Sequence, residues 1–358
     1  MLSRLENQNT ALPNEFHSSF ALCFTAHDIA LQLLKSGMEN GIFVNTIKFK
    51  DEAEKELFTQ SEDMFEWLRK TNRIDDEADV LVSMVFPAVL GDMLHCIFEA
   101  LEASRKGKLS IAFMLLRKPV QESLYVLESI VADKESFARL LSQDSVKLQH
   151  HQAGGVEGHA KRIQKVLETI GATEQFNSLS LAKLRYDKNE EGGFDRVCNK
   201  AMHLFTTKEP IKTENYNINF IFSGRDATLS QWSLLHSRLP YILLYMVQLI
   251  DHISIRFADT LQMYRDDMNR RLAAQLCMTF ETIPVKYRYD ALDRLVKSTT
   301  TWLHEHCESN GFDQPGISDL RKMGTTGAFP GESESGYKMR EMVYEVFAKA
   351  GRGETDDR

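Results

Sequence analysis

The sequence predicts an all-α fold built around an antiparallel helical bundle with additional flanking helices. Apolar residues recur at helical spacing through most of the 358 residues. Only 8 prolines and 19 glycines interrupt them, which leaves room for long helices. A hydrophobic content of 43% and a charged content of 26% are ordinary for a globular chain, so wholesale disorder is excluded.

Residues 1–75 are predicted to form an acidic, helical N-terminal region. An apolar stripe predicts a helix over 14–36, preceded by polar, frayed residues, and a second pattern predicts a helix over 51–70. Between them, 41–48 (GIFVNTIK) is typical of a short strand or a crossing loop. Residues 1–104 carry 18 Asp and Glu against 8 Lys and Arg, which would suit a basic protein partner.

Residues 76–265 are predicted to be the helical core. The first long helix spans 75–104, with a kink at Pro87. A short turn containing Gly107 leads into a helix over 109–132, which should return antiparallel. Pro119 should bend or break this second helix. Further helices are predicted over 134–148, 156–170, 173–186, 194–206 and 229–262, the last bent near Pro240, and the alternating 215–222 predicts a small strand or hairpin arm.

Residues 266–358 are predicted to add flanking C-terminal helices. Apolar periodicity places these over 266–280, 289–307 and 336–350. The Gly- and Ser-rich stretch 324–335 is predicted to be a linker and 353–358 a loose tail.

Several features favour a cytoplasmic protein that does not span a membrane. The first residues lack the basic and apolar segments of a signal peptide. The apolar runs 81–98 and 239–250 are interpreted as buried core helices, since the first carries Asp92 and His95 and the second is too short. Five scattered cysteines form no disulfide framework, which favours a reducing compartment.

Charge is unevenly distributed, although the net charge is −8. Residues 105–208 carry 17 Lys and Arg against 12 Asp and Glu. A basic middle between acidic flanks could attract a phosphate backbone, because such attraction depends on the local field. The alternative is ordinary variation in the surface charge of helices.

One short constellation carries chemistry, in the segment after the Gly192-Gly193 break. On a helix, Arg196, Asn199 and His203 would align at i, i+3 and i+7. An imidazole can take a proton from a ribose 2′-hydroxyl and a guanidinium matches phosphate oxygens, while an amide can orient either group. This chemistry requires neither a metal nor a cofactor.

This pattern resembles the R-x(4–6)-H motif of the HEPN superfamily of helical bundles. Arg196 and His203 give R-x6-H, although the family's usual Asn position is occupied here by Val197. The segment 115–122 (LLRKPVQE) is similar to the LLR-x(4)-E helix of uncharacterised bacterial families distantly related to HEPN. The resemblance covers about 80–265.

The resemblance implies a metal-independent endoribonuclease of the toxin or antiphage-defence type, working as a homodimer on RNA. Arg196, Asn199 and His203 would be catalytic and would leave a 2′,3′-cyclic phosphate. The expected substrate contacts are Arg117, Lys118 and Lys200.

A structural interpretation stands beside each of these assignments. Arg196 could pair with Asp195 or Glu191, and His203 could be an ordinary helix-end histidine. Arg117 and Glu122, five residues apart, do not face each other on an α-helix and could each form a buried pair with a partner helix. The alternative function is a non-catalytic, dimeric helical scaffold or regulator.

Other candidate sites are less specific. Asp92, His95 and Glu99 share a helical face but lack a second Glu/His pair, so a buried polar cluster is the better interpretation. The run His304 to Cys307 is interpreted as a solvated helix end. The sequence contains no motif for binding ATP or a dinucleotide and none of a serine hydrolase.

Overall fold

Helices account for 74% of the described residues, which contain no strand, so the all-α prediction is confirmed. The computed structural model describes residues 10–351, except for the side chains of residues 345 and 347–351. Of the first dozen residues, which were predicted to be frayed, 1–9 lie outside the described residues, as does the predicted tail 353–358, whereas Leu12 is buried.

The N-terminal region forms three helices where two were expected. After a 3₁₀ turn, α1 runs over His17–Glu39. Residues 41–48 are a loop, and the predicted helix over 51–70 is divided into α2 (Glu52–Gln60) and α3 (Met64–Lys70). The division has a local cause, because Asp63 accepts a hydrogen bond from the Glu66 amide at 2.8 Å and caps a second helix.

The central helical pair forms as predicted, but neither proline ends a helix. Helix α4 spans Ile74–Arg105 and contains Pro87. Helix α5 (Leu109–Arg117) continues through a π-helical turn, Lys118–Ser123, into α6 (Leu124–Ala132). The wider turn accommodates Pro119, which lacks the amide hydrogen of a regular helix.

The remaining helices complete the fold around α11. The segment 215–222 forms turns and not the predicted hairpin arm, because Tyr216 and Phe220 have φ of 62°, outside the extended region. The predicted linker is shorter than expected, since a helix reaches Thr326. These helices are α7 (Lys134–Gln143), α8 (Gly155–Ile170), α9 (Ser178–Tyr186), α10 (Phe194–Met202), α11 (Arg225–Ile255), α12 (Gln262–Thr282), α13 (Asp290–Ser309), α14 (Ile317–Thr326) and α15 (Glu334–Gly351).

Most of the apolar residues belong to one core. Its buried members run from Leu12 to Leu295, so helices of all three predicted regions contribute to it. Helix α11 lies at the centre, with Tyr241, Tyr245 and Ile250 completely buried. A smaller cluster joins α12, α13 and α14 through Leu303 and its neighbours.

Among the described helices, α4 alone has the length and apolar composition to cross a bilayer. Of its most apolar stretch, 44% is buried inside the fold. Helices α1, α5 and α7 pack against it.

Candidate functional site

Helix α10 begins at Phe194, as the sequence predicts. The turn before it is tightly packed at two glycines. Gly193 is its N-cap, and a Cβ there would lie 3.0 Å from the carbonyl oxygens of Asp187 and Glu190. A Cβ on Gly192 would lie 2.8 Å from the Arg238 Nε atom. The two glycines therefore allow the turn before α10 to pack tightly against its neighbours.

The expectation that Arg196, Asn199 and His203 share one helical face is wrong. Helix α10 ends at Met202, and His203 is its C-cap with extended backbone angles, φ −125° and ψ 132°. The Asn219 side chain donates to the His203 carbonyl at 2.9 Å, which holds this extended exit. The His203 side chain is exposed to solvent and lies outside the apolar core.

Asn199 is part of the internal packing of α10. Its Nδ2 donates to the Asp195 carbonyl at 2.7 Å and to Asp195 Oδ1 at 3.0 Å. Asp195 is only 8% exposed and also accepts from the Gln121 Nε2 atom at 2.8 Å. The amide of Asn199 therefore positions Asp195 and does not point along the face that carries Arg196.

Arg196 and Lys200, one helical turn apart, line a cleft of about 250 Å³ between α10 and the segment 217–234, here called the α10 cleft. Neither cation forms a salt bridge within residues 10–351, so the predicted pairing of Arg196 with Asp195 or Glu191 is not observed. The other lining residues are Glu191, Val197, Asn217, Asn219, Phe220, Phe222, Ser223, Ala227, Gln231 and Leu234.

The far wall of the α10 cleft is held in place by polar contacts. Asn219, 9% exposed, accepts from the Thr213 hydroxyl at 3.0 Å and donates to Thr206 Oγ1 at 3.2 Å. Its backbone amide donates to the Leu204 carbonyl at 3.0 Å. The loop that follows His203 and the segment that forms the cleft wall are thus one connected unit.

The other two predicted substrate contacts lie on the π-helical side of the fold. Lys118 pairs with Asp92 at 2.8 Å, and this contact raises the pKa of the lysine. Arg117 Nη1 lies 4.0 Å from Glu122 Oε1, and both side chains are partly exposed. The predicted burial of this pair against other helices is therefore wrong, because the π-helical turn brings residues five apart onto one face.

A network of buried charges that the sequence did not predict is centred on Glu128 and is here called the Glu128 network. Glu128 and Arg185 form an ion pair with both side chains 0% exposed. Arg162 Nη2 lies 2.7 Å from the second carboxylate oxygen, and the Tyr245 hydroxyl donates to the first at 2.9 Å. Burial alone would raise the pKa of Glu128, but the two guanidinium groups outweigh burial and hold it below its ordinary value.

Aromatic stacking continues this network towards the surface. The His159 ring stacks on Tyr186 at 3.5 Å between centroids, and His150 stacks on the same ring at 5.7 Å. Burial, with the neighbouring arginines, lowers the pKa of His159 to about 3. Burial also lowers the pKa of His150, so both imidazoles favour the neutral form.

The weaker candidate sites are resolved as surface or packing features. Asp92, His95 and Glu99 are exposed, so the predicted buried cluster is wrong. His306 stacks between Trp302 and Phe329 and contacts the Arg270 guanidinium at 2.9 Å, so this helix end is packed and not merely solvated. Across the described residues, no three His, Cys, Asp or Glu side chains gather in a metal-binding arrangement.

Comparisons with models of protein families, with curated proteins and with solved structures return no match to this chain.

Proposed function

We propose that the protein is a metal-independent endoribonuclease that binds single-stranded RNA in the α10 cleft and acts as a homodimer. The observation that carries the proposal is the position of Arg196 and Lys200, two cations that form no ion pair with any described residue and line an open cleft. The exposed His203 follows directly at the end of the same helix.

The two cations supply the phosphate contacts. A guanidinium matches two phosphate oxygens through parallel hydrogen bonds, and a neighbouring ammonium adds a second positive charge. Since no carboxylate in the described part of the chain engages either side chain, binding a phosphate breaks no ion pair there. Glu191 at the edge of the cleft would oppose non-specific binding and thereby restrict where the phosphate lies.

Aromatic side chains beside the cations favour a single strand over a duplex. Phe222 lines the α10 cleft and is 66% exposed, and Tyr216, which directly precedes the wall segment, is fully exposed. Unpaired bases stack on such rings, whereas the bases of a duplex are already stacked on one another.

His203 supplies the proton transfer. As a general base, its imidazole removes the proton from a ribose 2′-hydroxyl, whose oxygen then attacks the adjacent phosphorus. The bond to the 5′-oxygen breaks, that oxygen takes a proton, and a 2′,3′-cyclic phosphate remains. One histidine cannot be base and acid in the same step, so a second copy of the chain would provide the acid.

Exposed apolar residues near His203 support association of two copies. Phe205 and Ile221 are 62% and 60% exposed, beside half-exposed Met202 and Leu204; together these four residues are called the apolar rim. Clustered exposed apolar side chains commonly mark a protein interface. A homodimer formed there would bring the two α10 clefts close together.

The alternative is a non-catalytic dimeric scaffold, and the contacts of Asn199 favour it. An amide bound to Asp195 is not free to orient a substrate. On this alternative the apolar rim remains an interface, and the α10 cleft binds phosphate without cleaving it.

The test is cleavage of mixed RNA by purified full-length protein in the presence of EDTA. The wild type and His151→Ala, which removes an exposed histidine from a different loop, should release fragments with cyclic-phosphate ends. His203→Ala should lose at least about a hundredfold in rate, the usual contribution of general acid–base catalysis. If RNA is bound but not cleaved at any concentration, the scaffold interpretation replaces the enzymatic one.

A further inference from the structure

A cavity unrelated to α10 lies between α1 and the connection from α11 to α12. Its volume is about 530 Å³, and Tyr344 of α15 closes one side. Tyr264 forms part of the wall, and the cavity is called the Tyr264 cavity. None of its lining residues belongs to the α10 cleft.

The wall of the Tyr264 cavity is largely apolar and uncharged. Leu33, Ile42 and Leu261 contribute aliphatic surface, and the neutral polar groups within it are Gln32, Ser36, Asn40, Ser254 and Thr260. Among the residues whose side chains the structure describes, no lysine, arginine or histidine lines it, and Asp259, the one carboxylate, is exposed at the edge. An anionic ligand would therefore lose its hydration without gaining an ion pair, and a cationic one would meet only the exposed Asp259.

The two tyrosines in the wall also remain neutral. Burial raises the pKa of Tyr264 above its ordinary value and that of Tyr344 to about 12. Their rings meet edge to face, with centroids 5.3 Å apart. The cavity thus offers a ligand aromatic edges and faces, but no phenolate charge at physiological pH.

The backbone around the cavity is shaped by a glycine. A Cβ on Gly37 would lie 2.5 Å from the Phe43 ring, so only glycine allows this ring to pack directly against α1. On the other side, the Tyr344 hydroxyl donates to the Met263 carbonyl at 3.2 Å. Arg340, one turn earlier, is paired with Glu332 and with Asp267, which holds α15 over the cavity.

We propose that the Tyr264 cavity binds a neutral, largely apolar small molecule that carries one or two hydroxyl or N–H groups. A volume of about 530 Å³ lies within the range of pockets that enclose such ligands. Apolar contact supplies the affinity, and the few polar side chains orient the molecule. This site is independent of RNA binding and of the proposed ribonuclease activity.

The experiment uses N-phenyl-1-naphthylamine, a neutral aromatic amine that fluoresces in apolar surroundings. Full-length wild-type protein should bind one molecule saturably. Its analogue 1-anilinonaphthalene-8-sulfonate, with the same rings and a negative charge, should bind at least about tenfold more weakly, since a buried charge without a partner is costly.

Two substitutions test whether the probe binds in the Tyr264 cavity. Ala258→Trp fills the cavity and should weaken binding of the neutral probe at least about tenfold. Met38→Trp adds the same side chain on α1, at a position 62% exposed and outside the wall, and should leave binding unchanged. Thr260→Trp is a second cavity-filling variant if Ala258→Trp unfolds.

The proposal fails if the folded wild type does not bind the neutral probe, or if the anionic analogue binds as tightly. It also fails if a folded cavity-filling variant binds as well as Met38→Trp, because the probe would then occupy another surface.

Discussion

Glu128 and Arg185 form an ion pair that is completely excluded from solvent, with both side chains 0% exposed. Their helices, α6 and α9, are joined further through Arg162 of α8 and Tyr245 of α11, which also contact the Glu128 carboxylate. Arg185 additionally donates from Nε to the Val120 carbonyl at 2.7 Å, in the π-helical turn. One carboxylate therefore connects four helices around the region that places α10.

Glu128→Gln should be among the most destabilising single substitutions in the chain. The amide has nearly the same shape but leaves two guanidinium groups without a compensating charge, one of them fully buried. Removing one partner of a buried pair costs about 3–5 kcal/mol in the free energy of unfolding. Chemical denaturation monitored by circular dichroism measures this loss.

Glu122→Gln is the matched control for this substitution. It removes the same charge six residues earlier, from a pair whose side chains are 34% and 48% exposed. Exposed pairs contribute at most about 1 kcal/mol, so its unfolding curve should almost overlay that of the wild type. Equal losses in the two variants would mean that the Glu128 network does not stabilise the fold.

Helix positions were largely predictable, because they depend on local periodicity. The pattern over 75–104 predicts a helix that the structure places at Ile74–Arg105. The exceptions have local causes that a periodicity search ignores. Asp63 caps a new helix inside a continuous apolar pattern, and a π-helical turn carries the chain through Pro119.

The candidate site was only partly predictable, since it depends on contacts between distant segments. Sequence spacing assigned Arg196, Asn199 and His203 to one face, but the contact between Asn219 and the His203 carbonyl supports an earlier end to the helix. A usable signal for the Glu128 network was present, because Glu128 shares an apolar helical stripe with Leu124 and Val131. A lone charge on such a stripe indicates a buried partner, but the sequence does not say which residue it is.

Lowering the pH from 7 to 5 should destabilise the protein through its buried histidines. Burial lowers the pKa of both His159 and His236 to about 3. Between that value and about 6.5, the unfolded chain binds protons that the folded chain does not, so stability falls as the pH falls. Each histidine should account for about 2 kcal/mol by pH 5.

His236→Gln isolates one of these contributions. Its unfolding free energy, measured at pH 7, 6 and 5, should fall less steeply than that of the wild type, by about 2 kcal/mol over this range, whatever its absolute stability. His151→Gln changes an exposed histidine and should retain the full slope. A slope unaltered in His236→Gln would show that this imidazole is not kept neutral by the fold. The contribution of Glu128 is separate, because its lowered pKa confines the loss to pH values below about 4.5.

The double variant Arg196→Gln/Lys200→Gln should weaken binding of single-stranded RNA and reduce its dependence on salt. Each phosphate contact to a single strand contributes about 0.7 to the slope of log affinity against log salt, so the slope should fall by about 1.4. Fluorescence anisotropy with a labelled RNA at several salt concentrations measures both quantities.

Lys161→Gln/Lys165→Gln is the corresponding control for charge. It removes two exposed cations, also four residues apart, from α8 and outside the α10 cleft. This variant should retain the wild-type slope. Similar losses in both double variants would indicate attraction by overall charge and would argue against the α10 cleft as the binding site.

Phe205→Asp should dissociate the proposed homodimer. The ring is 62% exposed in one copy, and a carboxylate in its place would be buried without a partner if two apolar rims meet. Sedimentation velocity should show the dissociation constant of the dimer rising at least about tenfold.

Val285→Asp is the control and should leave this dissociation constant unchanged. Val285 is 79% exposed and lies on the connection between α12 and α13. Because cleavage is proposed to need His203 from both copies, Phe205→Asp should also lose RNA cleavage while its fold remains intact. A monomeric wild type that cleaves RNA would contradict this requirement, and the second proton would then have to come from within one chain.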